Sequence, residues 1–414
     1  MRIFPFISYL WAMRRLLLLA ALAAISCGAR SPKEETMAQI RERVYSLAQV
    51  QVVYMDSLLP EGRCPRTFQD GKLVTSDIDW WCSGFYPGVL WQIYGETADT
   101  LFRQLAVKHT LPLAELLNHK TDHDIGFQLM SSFGRWFIID FFDPREEDVL
   151  PPLEIKGILE KGARALASRF LPAAGVIRSW DHGEWNIPVI IDNMMNLELL
   201  MAYGDREVAE KHALTTAKNH FRDDGTTFHL VDYADDGTIL GRQTVQGYAD
   251  DSAWARGQAW ALYGYAMMAR EEMDPEIGHP ELARTFNDIA FKLAEWILPR
   301  LPEDGVPYWD FSQSDYRDAS AGAIIAAGLL DLWRNDPDRD PERKLVAAAE
   351  RILRTLASPE YLAEPRTNGG FLLKHSVGHL PNKSEVDVPL TYADYYFLEA
   401  LTLFPVSATS LNNN

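Results

Sequence analysis

The stretch QGYADDSAWARGQAW, residues 246–260, places many side chains of the types found in binding sites within fifteen positions. Aromatic rings stack on sugars, and arginine and glutamine form hydrogen bonds with hydroxyl and carboxylate groups. The same residues also suit a packed helix start, with the tryptophans in the core and an aspartate as the N-cap. The stretch therefore predicts either a sugar site or a packed helix N-terminus. Its site-type residues are Gln246, Asp250, Asp251, Trp254, Arg256, Gln258 and Trp260.

Two further aspartates stand where helical patterns begin, Asp124 in TDHDIGF and Asp192 in IIDNMMNL. Each suits the N-cap of a helix, which needs no functional explanation. If both helices face one cleft, however, the two carboxyl groups split their pKa values and one remains available as a proton donor. The pair then predicts general acid–base chemistry, provided that burial outweighs the helix dipole, which favours the anion.

The elements that must position these residues recur along the chain. Six times, a polar or aromatic residue leads into a helical run rich in small residues, with successive starts about 40 to 75 residues apart. More charged helical runs lie between them, at 154–170, 280–297 and 342–356. This alternation predicts an all-α fold, an (α/α)6 barrel of six helical hairpins in a toroid. The predicted inner helices start at Ser83, Asp124, Asp192, Asp251, Asp318 and Thr391.

Composition agrees with a single large domain. The 414 residues contain no Pro-, Gly- or Ser-rich linker, so residues 45–405 are predicted to form one catalytic domain. Strand-like sequence is confined to 226–233 and 369–375, both expected in loops. A net charge of −18 argues against nucleic acid or an anionic membrane as a partner. The N-termini of six inner helices would still supply local positive potential for an anionic sugar.

The N-terminus has the pattern of an export signal. A basic pair precedes the apolar run LLLLAALAAIS, which is too short to span a bilayer, and Cys27 follows it. Residues 1–27 are predicted to be a signal peptide with a lipobox-like Cys27, residues 28–44 a tether and residues 406–414 a polar tail. We expect an exported bacterial lipoprotein that faces the periplasm or the cell surface, in contact with the membrane only through a lipid on Cys27. A plain secretory signal is the alternative.

Two features stay open at this stage. The true start is Met1 or Met13, because the apolar stretch before Met13 does not fit the signal pattern. Cys64 and Cys82 could pair in an oxidising compartment, but two thiols do not define a disulfide framework.

Other common chemistries fit the sequence poorly. The nearest match to a nucleophile elbow, DASAG at 318–322, lacks the first glycine that the turn requires. Two histidine pairs, His119 with His123 and His375 with His379, are four residues apart but have no third ligand at metal spacing. No Gly-rich phosphate loop joins a strand to a helix. The sequence therefore predicts no metal ion and no cofactor.

Six motifs, in this order and spacing, resemble the unsaturated glucuronyl hydrolases of glycoside hydrolase family 88: WCSGFYPG, HDIGF, IIDNMMNL, QGYADDSAWARGQAW, DASAGAI and YADYYFLEAL. The resemblance runs from about Tyr45 to Phe404. It implies an (α/α)6 barrel and an enzyme that acts on a 4,5-unsaturated uronic acid at the non-reducing end of oligosaccharides left by polysaccharide lyases. Such enzymes hydrate the vinyl ether double bond, and the unstable product opens and releases the next sugar.

The resemblance also implies roles for individual residues. Asp192 would be the general acid and base, which protonates C4 and then takes a proton from the water that attacks C5. Asp124 would hold the sugar hydroxyls and keep Asp192 protonated. The late loop departs from the family pattern, with Gly378 where a tyrosine is common and a segment of its own at 382–389. The other implied substrate-binding residues are Trp81, Trp254 and Trp260 as aromatic walls, and His229, Arg242, Thr244, Gln246 and Arg256 as polar contacts.

Glycosaminoglycan-type oligosaccharides are the leading substrate prediction, and three alternatives stay open. An unsaturated rhamnogalacturonyl hydrolase would use the same barrel and chemistry on pectin fragments. A non-catalytic glycan-binding lipoprotein would keep the aromatic cleft but has no need for Asp124, Asp192 and His229 together. An ordinary inverting glycosidase would use two carboxylates on saturated glycosides. The sequence does not specify the parent polysaccharide, its linkage or sulfation, or the oligomeric state.

Overall fold

Helices make up most of the computed structural model, which describes residues 34–119, 122–142 and 150–405. The helices are α1 (Met37–Leu58), α2 (Phe85–Thr97), α3 (Thr100–Thr110), α4 (Ile125–Leu129), α5 (Arg135–Phe142), α6 (Pro152–Ala167), α7 (Asn193–Tyr203), α8 (Arg206–Asn219), α9 (Ala255–Glu272), α10 (Pro280–Ile297), α11 (Ala319–Asn335), α12 (Lys344–Leu356) and α13 (Thr391–Leu403). The strands are β1 (Cys64–Gln69), β2 (Lys72–Ser76), β3 (Phe170–Leu171), β4 (Val176–Ile177), β5 (Ile187–Ile190), β6 (Leu230–Tyr233), β7 (Ile239–Gln243), β8 (Ser376–His379) and β9 (Ser384–Val388).

Inner and outer helices alternate as the sequence predicts. The inner layer consists of α2, the pair α4 and α5 joined by one π-helical turn, α7, α9, α11 and α13. Each inner element packs against the next, and α13 packs against α2, so the ring closes. Helices α7 and α11 are buried on nearly every face, as expected for helices covered by an outer layer. The prediction of an (α/α)6 barrel is confirmed.

Small residues let the inner helices approach closely. A Cβ atom at Gly126 in α4 would lie 2.6 Å from Asn196 of α7, and one at Gly264 in α9 would lie 2.5 Å from Met194 of the same helix α7. Such distances are well inside van der Waals contact, so a side chain at either position would push the helices apart. The glycines in the small-residue runs therefore set the spacing of the inner ring around α7.

A three-stranded antiparallel sheet lies beside the start of α7. Strand β6 pairs with β5 on one side and with β7 on the other, and the register places Ile190, Leu230 and Gln243 in one row. The residues just beyond this row are therefore neighbours, although they come from three distant parts of the sequence. Asp192 comes two residues after Ile190, His229 comes directly before Leu230, and Thr244 comes directly after Gln243.

Two helix boundaries differ from those expected. Helix α1 begins at Met37, and buried Met37, Ile40 and Val44 pack into the core, so the second half of the predicted tether 28–44 belongs to the domain. Helix α9 begins at Ala255 and not at Asp251, because the segment before it forms turns and Trp254 makes a β-bridge.

The strand prediction holds in one of its two segments. The segment 226–233 contains β6, whereas the hairpin expected at 369–375 begins only at Ser376. A 3₁₀ turn at Asn368–Gly370 occupies the start of the predicted segment, with Gly369 and Gly370 at positive φ.

Several sequence-based predictions concern residues outside those that the structure describes. The signal peptide, Cys27 and the tail at 406–414 are among them. Within the described ranges, no helix combines the length and apolar character needed to cross a bilayer. Cys64 and Cys82 are both free thiols, and burial raises the pKa of each above its usual range.

Candidate active site

Asp192 is the N-cap residue of α7, but its side chain makes no capping hydrogen bond. Its Oδ2 atom is buried and has no hydrogen-bond partner. Burial raises the pKa of Asp192 to about 7, against the opposing influence of the Arg256 charge and the Trp260 indole. A carboxyl group with this pKa is protonated in a large fraction of molecules near neutral pH, so it can donate a proton and later accept one.

Asp124 occupies the same position on α4 and also makes no side-chain cap. Burial is the main reason why the pKa of Asp124 lies well above its usual range, and the carboxylates of Asp122 and Asp192 raise it further. The Asn196 side chain opposes this shift. The charge of Asp192 therefore acts on the carboxyl group of Asp124. A neutral Asp124 can donate a hydrogen bond to a sugar hydroxyl.

His229 is oriented by the backbone of the loop that follows β7. Its Nδ1 atom accepts hydrogen bonds from the backbone N–H groups of Val245 (3.0 Å) and Gln246 (3.2 Å). In the neutral ring the proton is therefore on Nε2, which lies 3.8 Å from Oδ2 of Asp192. Burial, and next the charge of Arg256, hold the pKa of His229 well below its usual range. The imidazole is thus a neutral donor beside the carboxyl group of Asp192.

Two substitutions at His229 separate these contacts. His229→Asn keeps an acceptor near the Nδ1 position but removes the Nε2 donor, whereas His229→Gln retains a donor near Nε2 and loses the Nδ1 acceptor. We expect the Asn variant to lose about ten- to hundredfold in kcat, the value of one hydrogen bond to a charged group, at unchanged Tm. The Gln variant should keep more activity and have a lower Tm. Equal losses of activity in both variants would contradict a specific role for the Nε2 proton.

Arg256 is buried, and protein acceptors use its guanidinium group. Nη1 donates to Asp318 (3.3 Å) and to the carbonyl of Val377, and Nη2 donates to Gln246 (2.7 Å) and to the carbonyl of Gly378 (2.7 Å). The group also lies 4.6 Å from the ring of Trp254. These contacts join α9 to β8 and the start of α11, and the contact of Arg256 with the uronate stays a prediction. Its effect on the site is its charge, which lowers the pKa of Asp192.

The predicted aromatic walls divide into two groups. Trp81 is half-buried, with its ring 4.7 Å from that of Tyr392. Trp254 is 3 % exposed and packs 4.5 Å from the ring of His229. Trp260 is fully buried against Phe127 and Tyr396, so it belongs to the core beneath the cleft. Trp81 is thus the predicted tryptophan with the most surface available to a sugar ring.

The polar residues around His229 are only partly brought together. Thr244 Oγ1 lies 3.4 Å from Nδ1 of His229, and Gln246 accepts from Arg256. Arg242 is exposed, donates to the backbone carbonyl of Asn219 and lies over Phe228, apart from this group. From β7, the Arg242 side chain reaches the last residue of α8, Asn219. No local pattern in the sequence predicts this contact.

Sequence reasoning missed a second set of residues beside Asp124. His123 is buried, and its Nε2 lies 3.5 Å from Oδ1 of Asp124, while burial lowers its pKa to about 3. The ring of Trp180 stands edge-on to His123, and its indole N–H is buried with no partner. The segment SWDHGEWN at 179–186 is as rich in site-type residues as the stretch from Gln246 to Trp260, and this density was the available signal.

The arrangement as a whole supports acid–base chemistry on a sugar. A proton donor with a pKa near 7, a second buried carboxyl group with a raised pKa and a neutral imidazole donor meet where the inner helices α4 and α7 begin. These are the parts that a glycoside hydrolase requires, and a binding protein has no need of a carboxyl group tuned in this way. Fold and site together define a carbohydrate-active hydrolase built on an (α/α)6 barrel.

Comparison with known proteins identifies the family. No family model matches the chain. The chain is 38% identical over 335 residues to the unsaturated glucuronyl hydrolase of Formosa agariphila, covering 78% of this chain and 79% of that protein. It is 30% identical over 412 residues to the unsaturated chondroitin disaccharide hydrolase of Streptococcus pyogenes, covering 95% of this chain and 98% of that protein.

A solved structure agrees with these relatives. The crystal structure of an unsaturated glucuronyl hydrolase specific for heparin superimposes with a TM-score of 0.80 at 39% identity, covering 88% of this chain and 96% of that one. The chain belongs to the unsaturated glucuronyl hydrolases, and it is a glycoside hydrolase.

Proposed function

We propose that this protein removes the 4,5-unsaturated uronic acid from the non-reducing end of glycosaminoglycan oligosaccharides released by polysaccharide lyases. The observation that carries the proposal is the carboxyl group of Asp192, whose burial raises its pKa to about 7 beside the Nε2 donor of His229. Hydration of a vinyl ether needs a group that is protonated at the start and can act as a base afterwards, and this environment supplies one.

The chemistry follows from the two protonation states of Asp192. The protonated carboxyl group delivers its proton to C4 of the double bond, which leaves positive charge at C5 and the ring oxygen. Water then attacks C5 while the carboxylate of Asp192 takes up one of its protons, so the group returns to its starting state. During the charged stage the Nε2–H of His229 stabilises the carboxylate. A protonated Asp124 donates to the sugar hydroxyls and holds the ring over Asp192.

The substrate class rests on the relatives and on the site. Two of the proteins described above are named for chondroitin disaccharides and for heparin, and both of these polysaccharides are glycosaminoglycans. In this chain a Cβ atom at Gly378 would lie 2.4 Å from the side chain of Glu385, which pairs with Arg66. A tyrosine at position 378 would therefore require the Glu385 side chain to move. The difference lies beside the carbonyls that bind Arg256, and the acid–base groups Asp192 and Asp124 are the same as in the family pattern.

A panel of unsaturated disaccharides tests this proposal directly. We expect the purified protein to abolish the ultraviolet absorbance of the conjugated double bond in fragments from chondroitin, hyaluronan or heparin. Asp192→Asn, prepared in parallel, serves as the control for contaminating activity. Loss of absorbance only with pectin fragments would favour the rhamnogalacturonyl alternative, and binding without any loss would favour a glycan-binding protein. Release of sugar from saturated glycosides would indicate an ordinary inverting hydrolase.

A further inference from the structure

Three side chains of the types that bind metals meet near the end of α9 that lies away from Asp192. Glu210 comes from α8, Glu272 is the last residue of α9, and His279 is the N-cap residue of α10. One ligand atom of each lies within 4.8 Å of the other two. Since α9 has 18 residues, this cluster is separated from Arg256 by roughly 24 Å of helix. The cluster is thus no part of the proposed active site.

The two distances from His279 to the carboxylates match those between ligands around a tetrahedral ion. Nδ1 of His279 lies 3.2 Å from Oε1 of Glu210 and 3.4 Å from Oε2 of Glu272. Ligands at about 2.0–2.2 Å from Zn²⁺ in a tetrahedron are roughly 3.3–3.5 Å apart. One nitrogen and two carboxylate groups are also a common ligand set for zinc, with water in the fourth position. Calcium takes six to eight oxygen ligands, so the histidine argues against it.

Glu272 supplies independent support for a bound cation. Its side chain is fully buried, and its Oε1 atom has no hydrogen-bond partner. Its Oε2 accepts from the backbone N–H of His279 (2.7 Å) and lies 3.2 Å from Nη2 of Arg206. A buried carboxylate oxygen without a donor is unfavourable unless a ligand or ion contacts it.

The excess of negative charge around Glu272 also favours a bound cation. The carboxylates of Glu210 and Glu272 lie 3.2 Å and 3.4 Å from the same atom, Nδ1 of His279. Two carboxylates so close together repel each other, and the single cation of Arg206 does not neutralise both. A divalent ion would balance the remaining charge.

We propose that Glu210, Glu272 and His279 bind a divalent transition-metal ion of the Zn²⁺ type in a structural role. The ion would join α8 to the connection between α9 and α10, where an outer helix of one hairpin meets the turn of the next. Because it contacts neither Asp192 nor Asp124, it stabilises the fold and does not take part in the hydration reaction. The sequence predicts no metal site, since these three ligands are separated by 62 and by 7 residues and form no motif.

Thermal unfolding of the full-length protein with and without Zn²⁺ tests this proposal. After treatment with a chelator, Zn²⁺ at a hundredfold excess over its Kd should raise Tm by about 3–5 °C. The His279 side chain is exposed, so the His279→Ala variant should fold normally. The Zn²⁺ affinity of His279→Ala and that of Glu210→Gln should each fall by at least about a hundredfold. Glu276→Gln, an exposed acid in the same connection, should keep the full response. Co²⁺ should give the strong visible absorption of tetrahedral coordination in the wild type only.

The same experiment can overturn the proposal. A wild-type protein without any Zn²⁺-dependent rise in Tm has no site. A rise that His279→Ala retains comes from other ligands, such as the exposed pair of His375 and Asp387. Turnover per folded molecule should be the same before and after chelation, and loss of turnover with unchanged Tm would contradict a structural role.

Discussion

Asp192→Asn is expected to lower turnover about a thousand- to ten-thousandfold and to leave the affinity for the unsaturated disaccharide close to that of the wild type. The amide keeps the shape of the side chain and a hydrogen bond, but it cannot deliver a proton to C4. General acid–base groups contribute about a hundred- to ten-thousandfold, and Asp192 acts twice in one cycle, so the upper part of the range applies. Loss of ultraviolet absorbance measures the rate, and calorimetric titration measures the affinity.

Asp394 offers a matched control. Burial raises the pKa of its carboxyl group to about 7 as well, but Asp394 accepts hydrogen bonds from the backbone N–H groups of Leu372 and Leu373. Asp394→Asn should therefore reduce stability and keep most of the turnover per folded molecule. If Asp192→Asn keeps more than about a tenth of the wild-type rate, the proton comes from another group and the assignment is wrong.

The Asp192→Asn variant should also reveal the raised pKa of Asp192 through the pH dependence of stability. The pKa of Asp192 is about 7 in the folded protein and about 3.9 in an unfolded chain. Between these values the folded state binds more protons, so the contribution of Asp192 to stability is full below about pH 4 and is lost as the pH rises through 7. Asn does not titrate. The difference in the free energy of unfolding between Asp192→Asn and the wild type should therefore shift in favour of the variant by up to roughly 4 kcal/mol between pH 4 and pH 8. Urea unfolding at both pH values measures this difference.

Arg256→Met is expected to lower the free energy of unfolding by about 3–5 kcal/mol. The substitution leaves Asp318 as a buried carboxylate without its cation, and it leaves the carbonyls of Val377 and Gly378 without their donor. It also removes the charge that lowers the pKa of Asp192, so the fall of kcat/KM at high pH should move to higher pH. Denaturant unfolding and a pH–rate profile measure the two effects.

Arg256→Lys separates charge from hydrogen-bond geometry. Lysine keeps the charge near Asp192 but cannot reach four acceptors at once, so stability should fall while the pH–rate profile stays in place. Arg242→Met is the control, because this exposed arginine contacts Asn219 and Phe228, and its loss should change neither measurement. A raised KM with unchanged stability in Arg256→Met would show that the guanidinium group binds the substrate.

Local patterns in the sequence were sufficient for the architecture. Five of the six predicted inner helices begin within two residues of their expected starts, because polar caps and small-residue runs are properties of neighbouring residues. The exception is α9, where the paired acids Asp250 and Asp251 look like an N-cap but Asp250 instead accepts from the backbone N–H of Thr244. A helix start is thus predictable from local sequence except where a long-range contact uses the capping side chain.

The sequence by itself determined the fold class, the order of the helices and the placement of Asp124 and Asp192 at helix starts, since each depends on residues near one another in the chain. Tertiary structure alone decided what surrounds those carboxyl groups. Burial sets the pKa of Asp192 near 7, and the pairing of β5, β6 and β7 brings His229 beside it and leaves Arg242 outside. Burial and contacts between distant segments depend on how helices pack, which is why tertiary structure alone decided that Arg256 and Trp260 are buried.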